Sequence, residues 1–248
     1  VTANFGEEGG RLSYGIYLRI PDLLALQVGL TDAHDELLFI VVHQVYELWF
    51  KVLLHELEAV RDAMFAGEAF AARHGLRRAQ VIERVLVEQV AVLETMSPQD
   101  FLAFRSELAP ASGFQSVQFR ELEFLSGLKN PAYLKRLEAQ GDERARLERR
   151  LAQPTLWDGF CALLAAAGSP SLEHVYRQRA AHPELFDLAE SLLDHDEAFA
   201  LWRSRHVLMV ERQIGGKTGT GGSTGAQYLR GTLDKRFFPE LWEVRSQL

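Results

Sequence analysis

The sequence predicts an all-α fold, a single helical domain over residues 1–248 with two very long helices and a ligand pocket between helices. Three observations predict it. Apolar residues recur at helical spacing over two unusually long stretches. Eight prolines and few β-branched alternations leave little room for strands. No repeat and no linker divides the chain.

The elements follow in order. Tyr14 and Tyr17 lie in a segment ahead of the core helices, read as an N-terminal arm over residues 1–18 that packs on its own domain or on a neighbouring subunit. Thr31-Asp-Ala-His-Asp-Glu opens the first long helix with a capping residue and early acids. Its apolar positions run through Leu37, Val41, Val45, Leu48, Val52 and Leu57, and nothing breaks the pattern before Gly67. Roughly 35 residues span about 50 Å. A second helix is expected from about Arg77 to Met96, and Ser97-Pro98 restarts the chain as N-cap and first helical residue. Pro110–Gly113 reads as a turn, and Ser116–Leu125 as a short helix stopped by Gly127. The Arg- and Glu-rich residues 131–150 read as a solvated surface helix. Pro183–Ile214 is the second very long helix, ended by Gly215-Gly216, and residues 226–248 read as a helical tail with a turn near Phe237–Pro239.

Composition narrows the function. A hydrophobic share of 47% supplies a core, and a net charge of -7 argues against general nucleic-acid binding. The single cysteine, Cys161, rules out an intrachain disulfide framework, reads as a small buried hydrophobe, and fits a reducing, cytoplasmic setting. No apolar run is read as a membrane span. The opening residues lack the regions of a signal peptide, and the absence of an initial Met leaves room for an earlier start.

Of eight histidines, six have plain explanations as surface or packing residues: His34, His55, His74, His174, His182 and His195. His43 differs, because it lies in the most apolar part of the first long helix, one turn after Phe39 and one turn before Glu47. His206 lies on the second, among Trp202, Val207, Met209 and Val210. Each alone reads as a core or surface residue. Together, two histidines on two long helices could face each other across one pocket. His-Glu-x-x-His and zinc-ligand spacings are absent. A haem suits the features, since it needs one imidazole, an apolar slot and cations near its propionates.

Two further segments belong with this pair. Phe101 and Arg105 are four apart, a spacing that places both on one helix face. Arg105 reads as a receptor for a ligand carboxylate or as a surface ion-pair partner. Residues 215–225 form a loop in which Gly alternates with Thr218, Thr220, Ser223 and Thr224, suited to close backbone approach and short hydroxyl contacts.

Six blocks in order resemble the tryptophan 2,3-dioxygenase family. They are Tyr-Leu-Arg-Ile-Pro-Asp-Leu-Leu from Tyr17, His-Asp-Glu-Leu-Leu-Phe-Ile-Val-Val-His-Gln-Val-Tyr-Glu-Leu-Trp-Phe-Lys from His34, Ser-Pro-Gln-Asp-Phe-Leu-Ala-Phe-Arg from Ser97, Pro-Ala-Ser-Gly-Phe-Gln-Ser-Val-Gln-Phe-Arg from Pro110, Trp-Arg-Ser-Arg-His-Val-Leu-Met-Val-Glu-Arg from Trp202, and Gly-Thr-Gly-Gly-Ser-Thr-Gly from Gly219. Residues from about 131 to 180 carry little of the resemblance. It implies a helical enzyme with one haem b per subunit. That enzyme oxidises L-tryptophan with O₂ to N-formyl-L-kynurenine, as a homotetramer. By motif position His206 is the proximal iron ligand and His43 the distal histidine near the indole nitrogen. That distal histidine orients the ring or serves as a base. Arg105 is the carboxylate clamp, and Thr220 contacts the amino-acid part of the substrate. Phe39, Phe101 and Ser112 are pocket positions, and Tyr14 and Tyr17 close the pocket of a neighbouring chain. Some family members carry a tyrosine where Phe101 stands, so a hydroxyl contact from that position is missing here. Two alternatives stay beside this reading: a broader-specificity indoleamine dioxygenase, and a non-catalytic haem sensor or carrier.

Overall fold

Helices are the only regular elements among the described residues, which are 12–136, 141–168 and 170–248 of the computed structural model. The glycine-rich start expected to lead the arm lies outside them. Two short helices come first, α1 (Tyr14–Tyr17), capped by the Ser13 hydroxyl, and α2 (Ile20–Leu24).

The first long helix, α3 (Glu36–Phe65), begins later than the capping pattern at Thr31 suggests. The buried Glu36 carboxylate explains the delay. It accepts from the Leu30 amide at 2.7 Å, the Thr31 amide at 2.8 Å and the Thr31 hydroxyl at 2.6 Å. Those bonds hold its carboxyl below the usual range, the Thr31 hydroxyl contributing most. The early acid therefore fixes a turn ahead of the helix. With 30 residues and a mean hydropathy of 1.6 over its most apolar window, α3 meets the length and apolarity of a membrane span, contrary to expectation. It is nonetheless a core helix on one side. Val42, Tyr46, Phe50, Leu53, Leu57, Val60 and Met64 recur at three- and four-residue spacing and are all buried.

Helix α4 (Ala69–Leu93) starts well before Arg77. Its first turns bury Ala69 and Ala72, small residues that a search for large apolar positions passes over. Gly75 sits where α4 crosses α3. A Cβ there would lie 2.7 Å from Val60 Cγ2, so the close crossing depends on glycine.

Helices α5 (Pro98–Leu102) and α6 (Val117–Leu125) follow, with 3₁₀ turns at Arg105–Leu108 and Gly113–Gln115 between them. The expected surface helix over 131–150 is two pieces, α7 (Ala132–Arg136) and α8 (Asp142–Ala152), and it is not simply solvated. Tyr133 and Leu147 join Val117 and Phe124 in a small separate cluster, and Arg150 is buried. Helix α9 (Leu156–Ala166) turns Leu156, Phe160 and Leu163 inward. Cys161 follows Phe160 on the other side of the helix and is exposed, which corrects the buried assignment.

Helices α10 (Leu172–Arg177) and α11 (Pro183–Ile214) come next, then α12 (Ala226–Arg230) and α13 (Pro239–Glu243). In the tail, Phe237 and Phe238 are buried just before Pro239 opens α13. α4 packs against both α3 and α11, α6 and α9 cover α3, and the tail lies on α11. This layering sets α3 and α11 around one cavity.

Candidate active site

A cavity of about 300 Å³ is lined by seven of the residues singled out in the sequence: Phe39, His43, Phe101, Arg105, Ser112, His206 and Thr220. Its remaining walls are largely apolar and aromatic, including Tyr46, Phe119, Trp202 and Met209.

His43 is held by its own helix. Its Nδ1 lies 2.7 Å from the Phe39 carbonyl oxygen. A carbonyl only accepts, so in the neutral ring Nδ1 carries the proton and Nε2 keeps its lone pair. Burial pushes the His43 pKa below its ordinary value, outweighing the Phe39 carbonyl and the Glu47 charge, which both raise it. The Phe39 ring lies 4.0 Å from the His43 ring and stacks on Phe101 at 5.7 Å.

His206 stacks on Trp202, one turn earlier on α11, with centroids 5.0 Å apart and planes within 6°. It is half-buried only because one side opens on the cavity. Burial, and then the nearby His43, push its pKa down to about 4. The imidazole is therefore neutral near pH 7, with a lone pair available for coordination.

The Phe101–Arg105 pair meets at the cavity but not on one helix face. α5 ends at Leu102, where the Ala103 amide bonds back to both Asp100 and Gln99 carbonyls and tightens the last turn. Arg105 instead opens the following 3₁₀ turn. Its guanidinium donates to the Thr218 carbonyl, and its buried Nε has no partner among the described residues. The Thr220 hydroxyl donates to the Ala111 carbonyl at 2.7 Å. Ser112 caps the second 3₁₀ turn, where its hydroxyl accepts from the Phe114 amide at 3.4 Å. The glycine loop is thus clipped across the segment that carries Arg105 and Ser112. Gly225 makes the clip possible, with φ at 60° and a position where a Cβ would collide with the Lys217 carbonyl.

Tyr14 and Tyr17 are not brought to this cavity. They are 78% and 71% exposed on α1. Conversely, the sequence reading did not pair three charged residues that line the cavity, Arg120, Glu123 and Arg203. Glu123 bonds Arg120 Nη1 at 2.5 Å and Arg203 Nη2 at 3.3 Å. The available signal was a charged pair three apart in an otherwise apolar short helix.

Among the described residues no group of three His, Cys, Asp or Glu side chains gathers to hold a bare metal ion. One neutral imidazole facing an apolar cavity with arginines on its wall is instead the donor set that suits a haem.

Comparison with known proteins agrees. The family described as tryptophan 2,3-dioxygenase matches residues 2–156 and 160–248. A protein named tryptophan 2,3-dioxygenase from a Nocardioides species is 56% identical, over 99% of this chain and 98% of its own length. Proteins of the same name from Herpetosiphon aurantiacus and Caulobacter vibrioides are 47% and 42% identical, each over 96% of this chain and 98% of their own length. With the matches running through both long helices and the glycine loop, this chain belongs to the tryptophan 2,3-dioxygenase family.

Proposed function

We propose that this chain is a haem-dependent dioxygenase. It cleaves the indole C2–C3 bond of L-tryptophan with O₂ and leaves both oxygen atoms in N-formyl-L-kynurenine. The observation that supports this most is the pair of neutral imidazoles on one apolar cavity, with an arginine and a hydroxyl-bearing loop beside them. His206 is the residue to hold the iron of one haem b per subunit, and the haem supplies the activation of O₂.

The chain's own residues bind and orient. His43, with Nδ1 tied to the Phe39 carbonyl, offers Nε2 to accept a hydrogen bond from the indole N–H. A lowered pKa makes it a weak base, which favours orienting over proton abstraction. Arg105 exchanges the Thr218 carbonyl for the substrate carboxylate, to which its planar fork makes two parallel bonds. The Thr220 oxygen, already donating to Ala111, keeps lone pairs for the substrate ammonium. Phe39 and Phe101 flank the ring, and Ser112 braces the loop. Holding the substrate at both ends fixes the indole where the bond is cleaved.

We infer further that the chain is one domain and works in the cytoplasm as a homotetramer whose arms are exchanged. Exposed Tyr14 and Tyr17 support the exchange, together with the exposed Ile16, Leu24 and Val28 around them. Aromatic rings left in water beside other apolar side chains gain most by burial in a partner.

The test uses three proteins: the wild type, His206→Ala and His43→Ala. The wild type is expected to convert L-tryptophan to N-formyl-L-kynurenine with one O₂ consumed, and to turn over tryptamine far more slowly. His206→Ala should lose most of its haem, whereas His43→Ala should keep haem and lose turnover. A normal Soret band and full turnover in His206→Ala would remove the iron-ligand assignment. Equal turnover of tryptamine would favour a broad indoleamine dioxygenase.

A further inference from the structure

One buried amide ties the end of α4 to the end of α11. α4 stops at Leu93 and α11 at Ile214, and the last carbonyls of a helix have no partners within it. Gln213 lies in the final turn of α11. Its Nε2 donates to the Leu93 carbonyl at 3.2 Å and to the Met96 carbonyl at 2.8 Å. Both N–H groups of the amide are thus spent on the corner that leads from α4 into α5. The side chain is 6% exposed and lines the cavity. Its Oε1 is buried with no partner among the described residues. Burying an unpaired acceptor costs free energy. A methionine would fill the same space without that cost, so what glutamine contributes is the pair of bonds to the corner.

The other links across this corner are weaker. Glu94 pairs with Arg205 at 2.8 Å and with Arg212 at 3.8 Å, but those arginine side chains are 41% and 65% exposed. Ion pairs in water contribute little. The Gln213 amide is shielded from water, where a hydrogen bond is stronger.

Both segments that hold the substrate leave from this corner. Downstream of Met96, the Ser97 hydroxyl caps α5 by accepting from the Asp100 amide at 3.2 Å, and the chain runs through Phe101 to Arg105. Downstream of Ile214, Gly215 at φ 57° turns the chain into the loop that carries Thr218 and Thr220. Farther out the two segments are joined by Arg105 to the Thr218 carbonyl and by Thr220 to the Ala111 carbonyl. A substrate carboxylate takes Arg105 away from Thr218. The bonds of Gln213 are untouched by that exchange, so they keep the Arg105 segment against α11 when the outer link opens.

We propose that Gln213 is a positioning residue for Arg105. By holding the α4–α5 corner on α11 it keeps the guanidinium within reach of the substrate carboxylate, and so sets the preference for L-tryptophan over tryptamine. The proposal rests on the tryptophan reading above. Gln213 acts through Arg105 and makes no contact with the substrate itself.

The test is a double-mutant cycle on the haem-loaded full chain, with KM and kcat measured for L-tryptophan and for tryptamine. Gln213→Met removes both bonds and keeps the bulk. A misplacement of about 1 Å can cost on the order of a hundredfold, and a smaller shift less, so KM for L-tryptophan should rise about tenfold. Its kcat should fall far less, and KM for tryptamine should hardly move. In the double variant Gln213→Met/Arg105→Leu, KM for L-tryptophan should equal that of Arg105→Leu alone, because moving a guanidinium that is already absent costs nothing more. A purely structural role predicts that the two losses multiply and that tryptamine suffers with L-tryptophan. Either result overturns the proposal, as does a wild-type KM in Gln213→Met. If Gln213→Met loses helix content or haem, Gln213→Glu, which keeps the shape and has no N–H to donate, goes through the same cycle. Failure of both variants to fold assigns Gln213 to the core and overturns the positioning role. A wild type that does not oxidise L-tryptophan overturns the dioxygenase reading itself, whereas normal wild-type turnover with a multiplicative cycle overturns only the role of Gln213.

Discussion

Arg105 shows what a single side chain contributes here. Its guanidinium is occupied by the Thr218 carbonyl, a neutral acceptor that a carboxylate outcompetes. Losing the bond to the carboxylate should cost on the order of 2–3 kcal/mol. Arg105→Leu is therefore expected to raise KM for L-tryptophan roughly thirtyfold to a hundredfold. Tryptamine, which has no carboxylate, should be affected far less. Steady-state kinetics with both compounds decide it, since an equal loss on both points to a damaged pocket. At this scale the sequence was legible where a residue was out of place locally. His43 and His206 stood out because each is a polar ring in an apolar helical stretch, and both line the cavity. What was illegible depends on partners distant in the chain. His195 is fully buried because Glu83 and Ser126 meet its two nitrogens at 2.6 and 2.9 Å, and those residues sit on or beside other helices. The Arg120–Glu123–Arg203 array is of the same kind, since one of its three residues, Arg203, comes from α11.

Elements were legible in proportion to their length and apolar periodicity. α3 and α11 were both expected and are 30 and 32 residues long. The start of α4 was missed because alanines carry its first buried turns, and residues 131–150 were misread because their few inward positions are spread over two short helices. The glycine loop was expected to approach a ligand closely, and its shape follows from bonds that composition does not reveal. Gly219 donates to the Ser223 carbonyl at 3.0 Å, and Thr220 reaches Ala111. Gly225 closes the loop at φ 60°, where any side chain would strike the Lys217 carbonyl. A non-glycine residue forced into such a position costs about 1–3 kcal/mol, which the loop escapes by opening. Gly225→Ala should then raise KM for L-tryptophan on the order of tenfold while the thermal midpoint hardly moves. Kinetics beside a melting curve check this. A large drop in the midpoint with KM unchanged would mean that the loop supports the core and not the substrate.

At the scale of the whole molecule, the cavity and the two arm tyrosines, Tyr14 and Tyr17, do not meet within one chain. Tyr14 and Tyr17 line no part of the cavity and stand mostly in water. The segment after the arm and α2 is tied to α3 through Gln27, whose Nε2 donates to Gln44 Oε1 at 2.5 Å. Farther along, α3 and α11 leave Leu37, Leu48, Leu201 and Leu208 exposed, so several faces are available to other subunits. Self-complementary contacts between identical chains satisfy such faces in pairs. If the arm completes a neighbour's site, two chains with different lesions can repair each other. We expect neither Tyr14→Ala/Tyr17→Ala nor His206→Ala to be active alone. Co-expressed, the double tyrosine variant contributes an intact haem site and His206→Ala contributes an intact arm. Some mixed oligomers then hold one complete site, and activity should return to a fraction of wild type set by the mixing statistics. Differently tagged chains allow mixed oligomers to be isolated before the assay. Inactive mixed oligomers would assign the arm to its own chain, and activity in either variant alone would remove the need for exchange.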